Sequence, residues 1–326
     1  MKMDAKIKAV LISIGSIDID VSLVGKIGMS TAGPAAGEKS IFFRSWGCRV
    51  RLTVDHKSPL HAVLDGEDIV ILMDNRELTR GRIEEELIHC PEQAYITISE
   101  RCIYNCKFCT VPLRNGKIKN IEEIKELVEV AHHTGLLKAI AITSGVADSP
   151  GREVERAVEV IKALKKYNVP IGVSVCPAAN STVMLKEAGA DEIKYNVETM
   201  DRNIFSLVCA GLDLDFILEA LKEAVSVFGR NKVYSNMLIG LGESDTAVEQ
   251  GVEELARIGV IPILRAIDVH PLHSKEITAN RPSPQRLLKL SKITKEKLDK
   301  YELRVDQSQT MCLPCGGCDL VPQVDL

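Results

Sequence analysis

Two rhythms of apolar and polar residues run along this chain. From residue 94 onward, short apolar runs alternate with longer segments whose apolar positions recur every three or four residues. The runs "AYITIS" (94–99), "LKAIAIT" (137–143), "PIGVSV" (170–175), "EIKYNV" (192–197), "KVYSNMLIG" (232–240) and "IPILRAI" (261–267) read as strands. Segments 121–135, which stops at Gly135, 152–167, 215–229 and 245–259 read as helices. Six βα units result. Right-handed crossovers make their sheet parallel, either curled into a full or partial barrel or open and doubly wound.

Residues 1–93 follow a different rhythm. "IKAVLISIG", "KSIFFRS", "RVRLTV" and "DIVILMD" read as short strands, and the stretch near 76–88 as a helix. This predicts a small N-terminal α+β subdomain over 1–93, ahead of the βα units over 94–282. A helix (283–300), a strand "ELRVD" (302–306) and a cysteine-rich tail form a C-terminal extension over 283–326.

The 326 residues are 45% hydrophobic and 26% charged, the balance of a folded soluble protein. The net charge of −4, with Lys and Glu interleaved along the helices, offers no basic face to nucleic acid. The start "MKMDAKIKAVLISIGSIDID" lacks a cleavable signal pattern. No window approaches the ~20 apolar residues of a membrane span. The expectation is a cytoplasmic protein with no membrane and no nucleic-acid partner.

Ten cysteines change the picture, because disulfides are disfavoured in a reducing compartment and clustered thiols there point to metal. Six fall in two triads. The first, in "SERCIYNCKFCTVP" (99–112), holds Cys102, Cys106 and Cys109 in C-x3-C-x2-C spacing, just after the first strand of the βα series. Three thiolates hold a cubane [4Fe–4S] cluster by three corners and leave one iron open. A structural zinc site needs a fourth ligand, and no other Cys or His falls between residues 91 and 131.

This motif, with Phe108 in the aromatic position before the last cysteine, resembles the radical S-adenosylmethionine (SAM) enzymes. The resemblance implies an α/β fold with a partial (β/α)6 TIM-like barrel. It also implies a [4Fe–4S] cluster on Cys102, Cys106 and Cys109, with SAM on its open iron as the source of a 5′-deoxyadenosyl radical. "ITSG" (142–145) is similar to the segment that meets the methionine amino group, which makes Thr143, Ser144 and Gly145 candidates. "YNVET" (195–199) resembles the "HNLET" of lipoyl and biotin synthases and nominates Asn196 and Glu198 for the ribose. "IGLGES" (239–244) resembles their "VGLGET" and places Gly240 and Gly242 near the adenine. Arg265 alternates with Ile263 and Ile267; if it faces inward it must be paired, for example with a cofactor or substrate carboxylate.

The second triad, Cys312, Cys315 and Cys318 in "TMCLPCGGCDLVP", has C-x2-C-x2-C spacing and resembles the ferredoxin run that binds a cubane cluster. It predicts a second [4Fe–4S] cluster at the barrel mouth. Cys176, which ends the third strand, is the first candidate for its fourth ligand and Cys48 the next. Cys90 and Cys209 read as small buried hydrophobes. "GPAAGEKS" (33–40) misses phosphate-loop spacing and precedes a strand-like "IFF", so it reads as a turn. His132 and His133 are adjacent on a helix and face different sides. His270 and His273 follow the sixth strand and read as substrate contacts.

Two clusters together with "YNVET" and "GLGE" point to sulfur insertion into an unactivated C–H bond, as in lipoyl and biotin synthases. The arrangement looks most like the archaeal biotin-synthase-related proteins, of which a two-component lipoyl synthase is one branch. That resemblance implies a small-molecule or protein-bound acyl substrate, a reductant such as ferredoxin or flavodoxin, and a partner radical enzyme. A radical methyltransferase or carbon-skeleton mutase is the alternative; an iron–sulfur carrier with a vestigial barrel is a remoter one.

Overall fold

The computed structural model describes residues 2–24, 28–29, 37–267, 277 and 279–326. The chain opens with α1 (Ala5–Ile14), where the run "IKAVLISIG" predicts a strand. An unbroken apolar run suits a buried strand and a buried helix alike, and here the caps decide. The Asp4 carboxylate accepts a hydrogen bond from the Ile7 amide at 2.9 Å. Gly15 takes a left-handed φ of 74° and returns its N–H to the Leu11 carbonyl.

Next come β1 (Ser16–Ile17), β2 (Gly28–Met29), β3 (Lys39–Ser45), β4 (Cys48–Val54), β5 (Leu60–Asp65), β6 (Asp68–Met73) and β7 (Arg76–Glu84). They form one sheet in the order β1-β4-β3-β7-β6-β5, with β2 paired to β3. β7 corrects the helix expected near 76–88. Asp74 and Asn75 both take left-handed φ, 51° and 59°, the geometry that turns β6 back onto β7 as a hairpin. Residues 30–36, which include the first half (33–36) of "GPAAGEKS", lie outside the described residues, as do His270 and His273.

β8 (His89–Cys90) folds antiparallel onto β9 (Gln93–Thr97). The series continues with α2 (Ile121–His133), β10 (Ala139–Thr143), α3 (Pro150–Leu164), β11 (Ile171–Ser174), α4 (Ser181–Ala188) and β12 (Glu192–Lys194). After these come α5 (Arg202–Val208), α6 (Leu214–Phe228), β13 (Val233–Ile239), α7 (Asp245–Arg257) and β14 (Ile261–Ala266). Strands β9 to β14 are parallel and stand in sequence order. A doubly wound sheet reverses direction at a switch point; this sheet does not. Its right-handed crossovers therefore all cover one face, and the sheet curls into a half-barrel. Val128, Ile161, Leu221 and Val252 from the helices pack on Ile96, Ile142, Val173 and Ile193 from the strands.

The concave face is floored by the C-terminal extension. After α8 (Pro284–Lys300), the expected strand over 302–306 is absent. The Arg304 and Val305 amides donate to side chains, Asn231 Oδ1 at 2.8 Å and Gln323 Oε1 at 3.1 Å, and not to a neighbouring strand. Leu303, Val305 and Met311 pack inside the barrel with Ala141, Tyr234 and Ile263. The buried Glu192 carboxylate accepts bonds from the Gln309 and Thr310 amides, both at 2.9 Å, and from the Thr310 hydroxyl at 2.6 Å. Gln93 exchanges two side-chain bonds with the Met311 backbone, at 2.8 and 3.0 Å. Gly172 on β11 allows this approach, since a Cβ there would overlap the Thr310 side chain. A short helix α9 (Cys312–Cys315) follows. From the other side, Arg51 N donates to Gly317 O at 2.7 Å, and Lys8 pairs with Asp325 at 2.7 Å with both side chains buried.

Candidate active site

Cys102, Cys106 and Cys109 lie on the loop between β9 and α2, at the C-terminal ends of the parallel strands, where barrels of this kind place their chemistry. The loop is tied down by its backbone. Ile103 N donates to Val146 O at 2.7 Å, Lys107 N to Val208 O at 2.8 Å, and Cys109 N to Cys106 O at 3.0 Å. Gly145 permits the approach of β10 to this loop, because a Cβ there would overlap the Arg101 carbonyl oxygen. The three thiols line one cavity of about 330 Å³ together with the buried Phe108. Burial holds the Cys102 thiol above its usual range and pushes Cys109 up to about 12. Binding of iron by these thiols would displace their protons. Among the described residues, no three of His, Cys, Asp or Glu come close enough to share a single ion. The donor set of soft, spread thiols fits an iron–sulfur cluster.

Thr143, Ser144, Gly145, Asn196 and Glu198 line the same cavity. The Ser144 hydroxyl donates to the buried Glu153 at 2.8 Å and accepts the Ser99 amide at 3.1 Å. Burial lifts the Glu198 carboxyl to about 7, although Lys194 and a hydrogen bond with Asn196 act against it. Asn196 Oδ1 accepts the Asn236 amide at 3.2 Å. Among the described residues, the buried Asn236 Oδ1, also on the cavity wall, has no hydrogen-bond partner. Glu198, Asn196 and this orphaned acceptor are the kind of set that receives sugar hydroxyls. Gly240 and Gly242 follow β13 at the same end of the sheet, with φ of 116° and 104°, but do not line the cavity. Glu243 holds their loop by accepting the Gly240 and Leu241 amides, both at 2.8 Å.

The second triad lies deeper. Cys312, Cys315 and Cys318 line a smaller cavity of about 40 Å³ with His89, Tyr95, Arg265 and Asp319. Lys194 Nζ and Arg265 Nη1 reach Cys312 Sγ at 3.4 and 3.5 Å, and Arg265 pairs with Asp319 at 3.5 Å. Arg265 does face inward and is paired as its charge demands, though with the tail. Cys176 is not here: it stands with the first triad, hydrogen-bonded to Tyr104 and near Cys102, and burial pushes its thiol up to about 12. The C-terminal end of β11 opens onto the first triad's cavity, while the tail meets this strand earlier, at Gly172. Cys48 lies near Lys8 and Asp325, outside both cavities. Cys209, read as a buried hydrophobe, is buried, and its free thiol is within hydrogen-bonding reach of Cys106. Cys90, read the same way, lines the smaller cavity. His89, Lys194 and Asn236 carried no spacing signal; a hairpin and strand register bring them inward.

Comparison with known proteins follows the same line. Residues 96–255 match the profile of the Radical SAM superfamily. A Pyrococcus horikoshii protein named "Probable GTP 3′,8-cyclase" is 27% identical over 161 residues, covering 47% of this chain and 48% of that one. The lipoyl synthase of Glaesserella parasuis is 28% identical over 166 residues, covering 49% and 51%. The chain thus spans about half the length of these curated relatives. Among solved structures, methylornithine synthase superposes with a TM-score of 0.55 at 18% identity, covering 71% of this chain and 72% of that one. Streptococcus suis SuiB bound to S-adenosylmethionine gives 0.54 at 14% identity, covering 66% and 49%. These two are likenesses of fold. The matched segment begins on β9, carries all three cysteines of the first triad and runs into α7; on that profile and that half-barrel, the chain belongs to the radical SAM superfamily.

Proposed function

We propose that this enzyme inserts sulfur into an unactivated C–H bond of an acyl substrate, small or protein-bound, in the manner its lipoyl synthase relatives suggest. One observation carries the reading. The cavity lined by Cys102, Cys106 and Cys109 is also lined by Cys318 of the second triad. A substrate held there would have a radical source and a second thiol-lined site on the wall of one cavity, as direct transfer of a cluster sulfide requires.

In this reading Cys102, Cys106 and Cys109 hold the [4Fe–4S] cluster, and SAM bound to it supplies a 5′-deoxyadenosyl radical. Thr143 and Ser144 face its methionine end, Asn196, Glu198 and Asn236 its ribose, and the loop of Gly240 and Gly242 the adenine. Phe108 keeps water from the cluster loop. Lys194 and Arg265 hold negative charge at the second site, where a further [4Fe–4S] cluster fits the thiols. Ten free cysteines suit a reducing compartment, hence a cytoplasmic location with a ferredoxin- or flavodoxin-type reductant, and a partner radical enzyme fits a two-component scheme.

The test is isotopic. Protein reconstituted anaerobically with labelled sulfide is turned over with SAM, a reductant and lipoyl-domain peptides. The label should appear in the product, read by mass spectrometry. The C312A/C315A/C318A variant should still form 5′-deoxyadenosine yet lose the sulfur-bearing product. A product without label, with the second site unchanged over many turnovers, replaces this reading by methyl transfer or carbon-skeleton rearrangement.

A further inference from the structure

The second triad has a fourth thiol beside it, from the far end of the sequence. Cys90 sits on β8, the short strand that turns back onto β9, more than two hundred residues before Cys312. Its side chain is 1% exposed. It lines the same small cavity as Cys312, Cys315 and Cys318, and its thiol is within hydrogen-bonding reach of Cys315. Four thiols thus border one pocket.

The surroundings fix both sides of that pocket. Gln93, three residues after Cys90, holds the Met311 backbone through two bonds at 2.8 and 3.0 Å, so β9 and the start of the triad move together. Arg49 Nη1 donates to the Cys315 carbonyl at 3.0 Å and Arg51 N to the Gly317 carbonyl at 2.7 Å, clamping the tail from the N-terminal sheet. A Cβ at Gly317 would crowd the Phe42 ring, so the tail can pass there only as glycine. A buried small hydrophobe would need none of this alignment with three other sulfurs.

We infer that Cys90 is the fourth protein ligand of the second cluster, which is therefore closed by Cys90, Cys312, Cys315 and Cys318 without an open iron at rest. Each thiol gives up its proton to become a ligand. The assignment is independent of whether the cluster later donates sulfide, because a bridging sulfide remains accessible while every iron is ligated. The proposed function and this inference therefore fail separately.

The experiment removes the first cluster with C102A/C106A/C109A, leaving about four irons per chain. Brief oxidation with ferricyanide should leave this parent protein without the electron paramagnetic resonance signal of a three-iron cluster. Adding C90A should make that signal appear and lower the iron by about one in four, since a cubane held by three thiolates sheds its unprotected iron. C90V, close to cysteine in volume, reads the same if C90A does not fold. C209A, another buried cysteine, should behave as the parent, and so should H89N, in which asparagine tolerates the left-handed φ of 66° at that position. A three-iron signal already present in the parent overturns the assignment. So does a C90A protein that behaves as the parent, or an H89N protein that sheds iron in its place.

Discussion

Glu198 is the residue at which burial and function meet. Its carboxyl, normally near 4.5, is lifted to about 7 by burial. Below pH 4.5 it is protonated in folded and unfolded chains alike. As pH rises toward 7 only the unfolded chain ionises, so stability falls across that window and, on this account, no further above it. The span is worth ~3 kcal/mol at most. Urea denaturation of the iron-free protein should show that slope, and E198Q should flatten it. The same variant should weaken SAM binding about tenfold through the lost charge-assisted bond, read by calorimetry. Gly145 is the second single-residue test. Its missing Cβ makes room for the Arg101 carbonyl at the root of the cysteine loop. G145A should cost about 1–3 kcal/mol and lower iron retention at the first triad while leaving the second loaded, as iron analysis and thermal melts would show.

At the scale of elements, the half-barrel was readable because its strands are short apolar runs and its helices strictly periodic. The N-terminal part was not, and the reasons are local. α1 is as apolar as a strand, and only Asp4 and Gly15 at its ends mark it as a helix. β7 carries glutamates and arginines at helical spacing, yet the left-handed pair Asp74–Asn75 commits it to a hairpin. Both signals were in the sequence, as a cap pair and a turn dipeptide, but each is weaker than the pattern it overrules. The first triad was legible from spacing alone. Cys90 was not, since only the turn from β8 to β9 brings it to the tail. The floor of the barrel likewise depends on one buried carboxylate. E192A strands the Gln309 and Thr310 amides and removes the carboxylate that pairs with Lys232 at 3.1 Å. The expected loss is about 3 kcal/mol or more. Faster hydrogen exchange at residues 309–311 would report it, together with iron falling from about eight to about four per chain.

Across the whole molecule, first helix and tail are joined by one ion pair. Lys8 and Asp325 meet at 2.7 Å with side chains 2% and 3% exposed. Removing one partner leaves a bare charge in the interior, so K8M should cost about 3–5 kcal/mol in chemical denaturation, and K8M/D325L should recover much of it. The floor itself has a consequence in time. The bonds that seat it join residues 118 and 218 apart in sequence, Thr310 to Glu192 and Met311 to Gln93. The βα units below it need only neighbours. Loop closure over such spans is slow to be rewarded, so the sheet should close early and the tail dock late. Throughout that interval the lumen stands open to water, and Cys90 waits without its three partners. The rate at which the tail arrives, more than the supply of iron, should then set how quickly the second site fills in freshly refolded protein.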